Sequence, residues 1–312
     1  MKRIISLAVA AAALAGLAVP FAVFMNRPPV LIVAEGSMVA LCGEARTRKQ
    51  NFHSSISIFR RVKTVLVADN SSPDIVIFAV TEADSKPYCV LFPRVYFAAA
   101  ERYHEEHPEI PVVLSGGFAE PSALPAPADF FYVYRTDRDT DLYRAGLMAG
   151  ILGGAGRNAA GAEADSQPAE EKNVVLLAER QVRTPQRDIF SKGVSETGLQ
   201  KPVIFAASAS SVPDAGKISC VALTGAGFEY MEKNPRVPLI LFSWIDPAFT
   251  PREVKVIFDD SPWSIAVPAL RLAISKQAEA VIPSKALIFS GKIADKDAFR
   301  MLKKSAAKPL EM

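Results

Sequence analysis

One stretch constrains this chain more than any other: ISCVALTGAGFEYMEKNPRVPLILFSWIDPAFTPREVKVIFDDSPW, residues 218–263, with short apolar runs at 218–223, 237–243 and 254–258. Runs such as VPLILF are apolar on both faces, which suits strands covered by helices on either side; an exposed antiparallel strand would alternate. They predict three strands of one parallel sheet. Small, aromatic or acidic residues follow each run: Thr224, then Trp244 and Asp246, then Asp259 and Asp260. Open α/β sheets bind ligands beyond the carboxyl ends of their strands. These residues are therefore the first candidates for a binding site.

The same rhythm runs through the rest of the chain. Strands are predicted at Val30–Ala34, Thr64–Asp69, Asp74–Val80, Val112–Ser115 and Phe130–Arg135, and again at Val174–Ala178, Val203–Ala206 and Ala286–Phe289. Helical patterns lie between them. Phe52, Ile56 and Phe59 share one face of a helix over 52–62, and an Asp or Thr cap opens a helix that carries Leu142 and Tyr143. On that helix Gly146, Ala149, Gly150 and Gly153 form a small-residue stripe, which lets another backbone come close. Strands separated by helices imply right-handed crossovers and doubly wound parallel sheets. The fold class is thus α/β, in two lobes of parallel sheet. The Pro- and Ala-rich stretch 119–129 reads as a surface connection, and the acidic, Ala- and Gly-rich stretch 155–172 as an insertion with little to bury.

At the amino terminus Lys2 and Arg3 precede an apolar run from Ile4 to Met25. A positive start followed by an apolar segment is an export signal. Its length is close to the ~20 residues that span a bilayer, so a retained anchor is the rival to cleavage. Either reading places the remainder in the periplasm or on the outer face of the cytoplasmic membrane.

Composition removes several functions. Lys plus Arg number 36 against 33 Asp plus Glu, and no basic stripe suits nucleic acid. No cofactor or metal is expected: His104 and His107 stand in a charged helix end without further ligands. Cys42, Cys89 and Cys220 form no CxxC and read as buried free thiols. No G-x-S-x-G elbow, G-x-x-x-x-G-K-[ST] loop, H-E-x-x-H or dinucleotide fingerprint occurs, so the chain reads as a non-enzyme. Asp259 and Asp260 are neighbours that point to opposite strand faces, so one of them suits a helix cap better than an acid–base pair.

The order of elements behind an export signal resembles a type I periplasmic solute-binding protein over roughly residues 30–290. Tyr143-Arg144-Ala145-Gly146-Leu147-Met148-Ala149-Gly150 is similar to the YxAGxxAG helix of the basic-membrane-protein branch, which includes purine-nucleoside receptors. Val237–Trp263 resembles the late segment of the sugar-binding branch. The resemblance implies two lobes with crossings near 135–137, 256–260 and 279–284: residues 28–135 plus 258–280 in lobe 1, and 136–257 plus 281–312 in lobe 2, after a signal or anchor at 1–27. It also implies a small polar ligand, a nucleoside or sugar, held between the lobes and read by an ABC-type permease or a sensor. On that basis Asp246 with Asp259 or Asp260 would accept ligand hydrogen bonds, and Trp244, Phe118 and Trp263 would stack on a ring. Glu35 and Ser37 after the first strand, and Asp137 and Arg138 at the first crossing, complete the set. The chain departs from the nucleoside branch in having no Cys before residue 42, hence no lipid-modified terminus, and in carrying Glu35-Gly36-Ser37-Met38 where that branch has an acidic, aromatic loop.

Overall fold

The computed structural model describes residues 22–116, 129–159, 173–178, 184–198, 203–214, 218–224, 228–234, 236–242, 250–259 and 261–310. The surface connection expected at 119–129 lies outside them except for Asp129; of the insertion expected at 155–172 only 155–159 are described, and these are helical. The chain forms two compact units, one of residues up to Arg135 with Ile265–Ala280, the other of Thr136–Ser264 with Val281–Met312.

Unit 1 begins with a helical turn at 22–26 (α1) and alternates β1 (Val30–Glu35), α2 (Gly36–Cys42), α3 (Glu44–Ile58), β2 (Val62–Val67), α4 (Pro73–Ala83), β3 (Cys89–Pro93), α5 (Phe97–Glu106), β4 (Val112–Gly116) and β5 (Phe131–Thr136). Its sheet runs β2-β1-β3-β4-β5, with β11 (Glu279–Ile282) beyond β5. The ladders among β1 to β5 are parallel. Leu31, Val33, Val90, Phe92, Val112 and Leu114 face one way and bury against Val76, Val80, Ala99, Ala100 and Tyr103 of α4 and α5. The alternate residues Val30, Ile32 and Ala34 are equally inaccessible, so β1 is covered on both faces.

Two helices differ from expectation. The run Asp74–Val80 is helical, because Ser72-Pro73-Asp74 supplies a helix start, with Pro at the first position and an acid in the first turn. Val76, Ile77 and Val80 are then its buried side, at helical spacing. The third strand is Cys89–Pro93 instead. In α3 the buried positions are Thr47, Ser54 and Ser55. The Ser55 hydroxyl accepts from the Val62 N–H at 2.8 Å, and Asn51 donates to the Thr64 hydroxyl at 2.9 Å. Hydrogen bonds to β2 turn the polar side of α3 inward, and Phe52 and Ile56 face solvent.

Unit 2 repeats the plan with α6 (Arg138–Ala159), β6 (Asn173–Ala178), α7 (Thr184–Ser195), β7 (Val203–Ala206), β8 (Ile218–Thr224), α8 (Phe228–Lys233), β9 (Leu239–Phe242) and β10 (Val254–Asp259). Its sheet order, β7-β6-β8-β9-β10, is that of unit 1, extended by the antiparallel β12 (Lys285–Ile288). The three runs that open the sequence argument are the adjacent strands β8, β9 and β10. Val221, Leu223, Leu239, Leu241 and Ile257 pack on the α8 side, while Cys220, Ala222, Ile240, Val256 and Phe258 pack under α6, α7 and α10 (Lys296–Ala306). Burial on both faces explains why these runs do not alternate.

The small-residue stripe of α6 packs tightly on α7. A Cβ at Gly146 would strike the Phe190 carbonyl, one at Gly150 the Thr197 side chain, and one at Gly193 the Tyr143 carbonyl. The helix α9 (Pro262–Ile274) runs from unit 2 into unit 1. All three cysteines are buried thiols outside any disulfide, and burial pushes the Cys89 and Cys220 thiols up.

Candidate functional site

Both sheets have the order 2-1-3-4-5, in which the chain reverses direction of growth beside the first strand. Ligands of doubly wound sheets bind at that switch point, outside the carboxyl ends of the strands. In unit 1 the switch lies between β1 and β3; in unit 2, between β6 and β8.

At the end of β1 the Glu35 carboxylate accepts from the Asn70 N–H at 3.1 Å and the Tyr96 hydroxyl at 3.0 Å. Tyr96 also lies 3.2 Å from the Ala68 carbonyl. Burial first, and then the neighbouring Glu35 carboxylate, push its hydroxyl up to about 12. The Ser37 N–H donates to Asp69 at 3.1 Å, while its side chain stays exposed. Glu35 and Ser37 thus stand with Asp69 and Tyr96 at one sheet end. Gly116, with φ +146, ends β4 in a conformation that glycine tolerates, and a Cβ there would lie 3.1 Å from Arg94 Cβ. That glycine lets the end of β4 come close to Arg94, the residue just after β3. Asp69, Arg94 and Tyr96 were not foreseen. Asp69 closes the apolar run Val65–Val67 just as Asp259 closes its own, and that was the available signal; Arg94 and Tyr96 are hidden in a segment that reads as a helix start.

In unit 2 the Asp137 carboxylate accepts from the Thr140 N–H at 3.0 Å and the Thr140 hydroxyl at 2.7 Å, so it caps α6. Arg138, half-buried, lies over the Phe242 ring at 5.2 Å and 4.0 Å from Asp141. Phe242 stacks on Phe258, with centroids 4.9 Å apart. Asp141 is fully buried and accepts from the Ser284 N–H at 2.8 Å and its hydroxyl at 2.5 Å, holding the strand connection before β12. Asp259 is 1% exposed, and its carboxylate accepts from the Ser261 N–H at 3.0 Å before α9. Thr224 ends β8, paired with Ala178 and Phe242. Trp263 is buried in the first turn of α9. Phe118, Trp244, Asp246 and Asp260 lie outside the described residues.

A cavity of about 520 Å³ in unit 1 is lined by Tyr88, Ile110, Phe130, Tyr132 and Lys276 among others. Tyr88, Ile110, Phe130 and Tyr132 precede or begin β3, β4 and β5, so the cavity lies at the end of the sheet opposite the switch point. Among the described residues no helix is long and apolar enough to cross a membrane, and no group of His, Cys, Asp and Glu could hold a metal ion.

No family model matches the sequence, and no curated protein matches it. Solved structures do. The ABC transporter solute-binding protein from Conexibacter woesei superposes with a TM-score of 0.56 at 12% identity, covering 89% of this chain and 95% of that one. A sugar transporter from Clostridium phytofermentans matches with 0.46 at 8% identity, over 85% and 100% of the two chains. A LacI-family transcription regulation repressor from Corynebacterium glutamicum gives 0.46 at 10%, over 85% and 98%. With two mostly parallel sheets of the same strand order, the chain has the type I periplasmic-binding-protein fold. At such identities the likeness defines fold alone.

Proposed function

We propose that this chain is an extracytoplasmic receptor that closes two lobes on a small polar ligand, a nucleoside or sugar, and presents the closed form to an ABC-type permease. The lobes are taken as 28–135 plus 258–280 and 136–257 plus 281–312, which differ from the compact units in residues 1–27 and 258–264. One observation carries the reading: each unit gathers charged and aromatic groups at strand ends, Glu35, Asp69, Arg94 and Tyr96 at or just after the ends of β1, β2 and β3 in one and Arg138 over Phe242, the last residue of β9, in the other. An aromatic face supplies apolar area, and charged groups fix hydroxyl orientation. Closure follows because a ligand touching both lobes favours the closed state by its differential affinity. Ser37, Phe118, Thr224, Trp244, Asp246, Asp259 and Asp260 complete the proposed ligand set. We assign the fold no enzymatic role, and place the protein in the periplasm or on the outer face of the cytoplasmic membrane.

A specific observation favours a second reading, a tethered sensor or interaction protein that keeps the fold without the ligand. Asp137 and Asp259, two of the acids assigned to ligand, already accept hydrogen bonds within their own turns. Thermal-shift screening against nucleosides and monosaccharides separates the two. The receptor reading expects at least one compound to raise the melting temperature in a saturable way; a flat response from folded protein supports the sensor.

A further inference from the structure

Three large apolar side chains stand along the outward side of α3 and its end. Phe52 is 63% exposed, Ile56 59% and Phe59 42%. Their spacing of four and three residues stacks them on one face. Amphipathic helices ordinarily turn such a stripe to the core. Here the polar side is buried and hydrogen-bonded to β2, so the apolar side is left for something outside the unit. A contiguous apolar patch rimmed by polar groups marks an interaction site.

The first clue to the occupant is where the amino-terminal segment meets this patch. The Phe24 ring packs 5.7 Å from that of Phe59, and the Arg27 guanidinium lies 4.8 Å from the same ring while donating to the Phe59 carbonyl at 3.4 Å. Phe59 sits at φ 51, at a helix end where glycine is the usual residue. The sequence before this junction, Ile4–Met25, is the apolar run of bilayer length. A chain that leaves a bilayer at Met25 is held against α3 only two residues later.

The second clue is charge. Arg48 and Lys49, both exposed, lie one turn before Phe52, and Glu44 to Arg61 carries five bases against one acid, Glu44, which pairs with Arg48 at 3.6 Å. Apolar side chains flanked by bases suit the interface of a membrane with anionic headgroups.

We propose that the outward face of α3 docks unit 1 on an anionic lipid bilayer beside the apolar segment that tethers it. Phe52 and Ile56 enter the headgroup layer, and Arg48 and Lys49 meet lipid phosphates. The docking rests on the tether and is independent of any ligand.

The test uses the full chain, made by cell-free synthesis into nanodiscs of phosphatidylglycerol and phosphatidylcholine. A nitroxide is placed by Phe52→Cys or Ile56→Cys, with Phe78→Cys as the control, since Phe78 is 66% exposed on α4. The native thiols are buried, so labelling goes to the introduced one. We expect collision with dissolved oxygen at 52 and 56 to exceed that at 78 several-fold, and the excess to fall in Arg48→Glu, Lys49→Glu protein or in phosphatidylcholine alone. Equal oxygen collision at all three sites overturns the proposal. So does dipolar broadening between labels at 52 of different copies, which would give the face to a second copy of the chain.

Discussion

Gly146→Ala puts a methyl group where α6 touches α7. The new Cβ strikes the Phe190 carbonyl oxygen, with the carbonyl carbon 3.1 Å and Gly193 Cα 3.2 Å away. All of these are backbone atoms, so no side chain can rotate aside. Alanine returns about 1 kcal/mol of helix propensity over glycine, whereas forcing extra volume into a tight contact costs about 1–3 kcal/mol, here about 2–3 kcal/mol because only backbone could yield. The two helices must separate, which also loosens Ala145, Ala149, Phe190 and Val194 in the same core. A net loss of about 1–2 kcal/mol corresponds to roughly 2–8 °C in the melting temperature of a domain of this size. Both tryptophans, Trp244 and Trp263, belong to unit 2, so intrinsic fluorescence follows the relevant transition. Gly291→Ala, with nothing within 4 Å, should leave it unmoved. Gly150→Ala should cost less than Gly146→Ala, since its obstacle is the Thr197 side chain. A melting temperature for Gly146→Ala at or above that of the parent would refute the close-approach argument.

Three further outcomes are expected. Tyr96, raised to about 12 in the folded state from an ordinary value near 10, holds stability fully present below pH 10 and lost as pH rises through about 12; Tyr96→Phe should remove one late-titrating phenol from the ultraviolet difference spectrum and flatten that loss. Asp141→Asn weakens a buried acceptor of two Ser284 donors, for a loss of about 1.5–3 kcal/mol in urea unfolding, and Ser284→Ala should cost less because the backbone N–H remains. The three thiols should be silent to Ellman's reagent in native protein and all react in guanidinium; fast native reaction of any one contradicts its burial.

Strand runs were legible where burial on both faces leaves one physical solution. The stripe at Gly146 and Gly150 was legible too, since small residues at helical spacing let another backbone come close. Ambiguity entered where periodicity is short. DIVIFAV serves as helix or strand by composition, and Ser72-Pro73 decides it. The inward side of α3 was misread because hydrogen bonds from Asn51 and Ser55 to β2 outweigh apolar patterning there. Site residues were harder still. Strand ends announce Glu35, Asp69 and Asp259, yet whether a carboxylate faces a ligand or its own turn depends on backbone geometry that spacing does not encode.

The receptor account is tested most directly by native mass spectrometry of the folded chain mixed with a pool of nucleosides and monosaccharides. It predicts a single adduct at one-to-one stoichiometry that saturates with concentration and weakens at least tenfold in Arg138→Ala protein, a loss of about 1.4 kcal/mol. Only the unliganded mass, from protein that melts cooperatively, would contradict it.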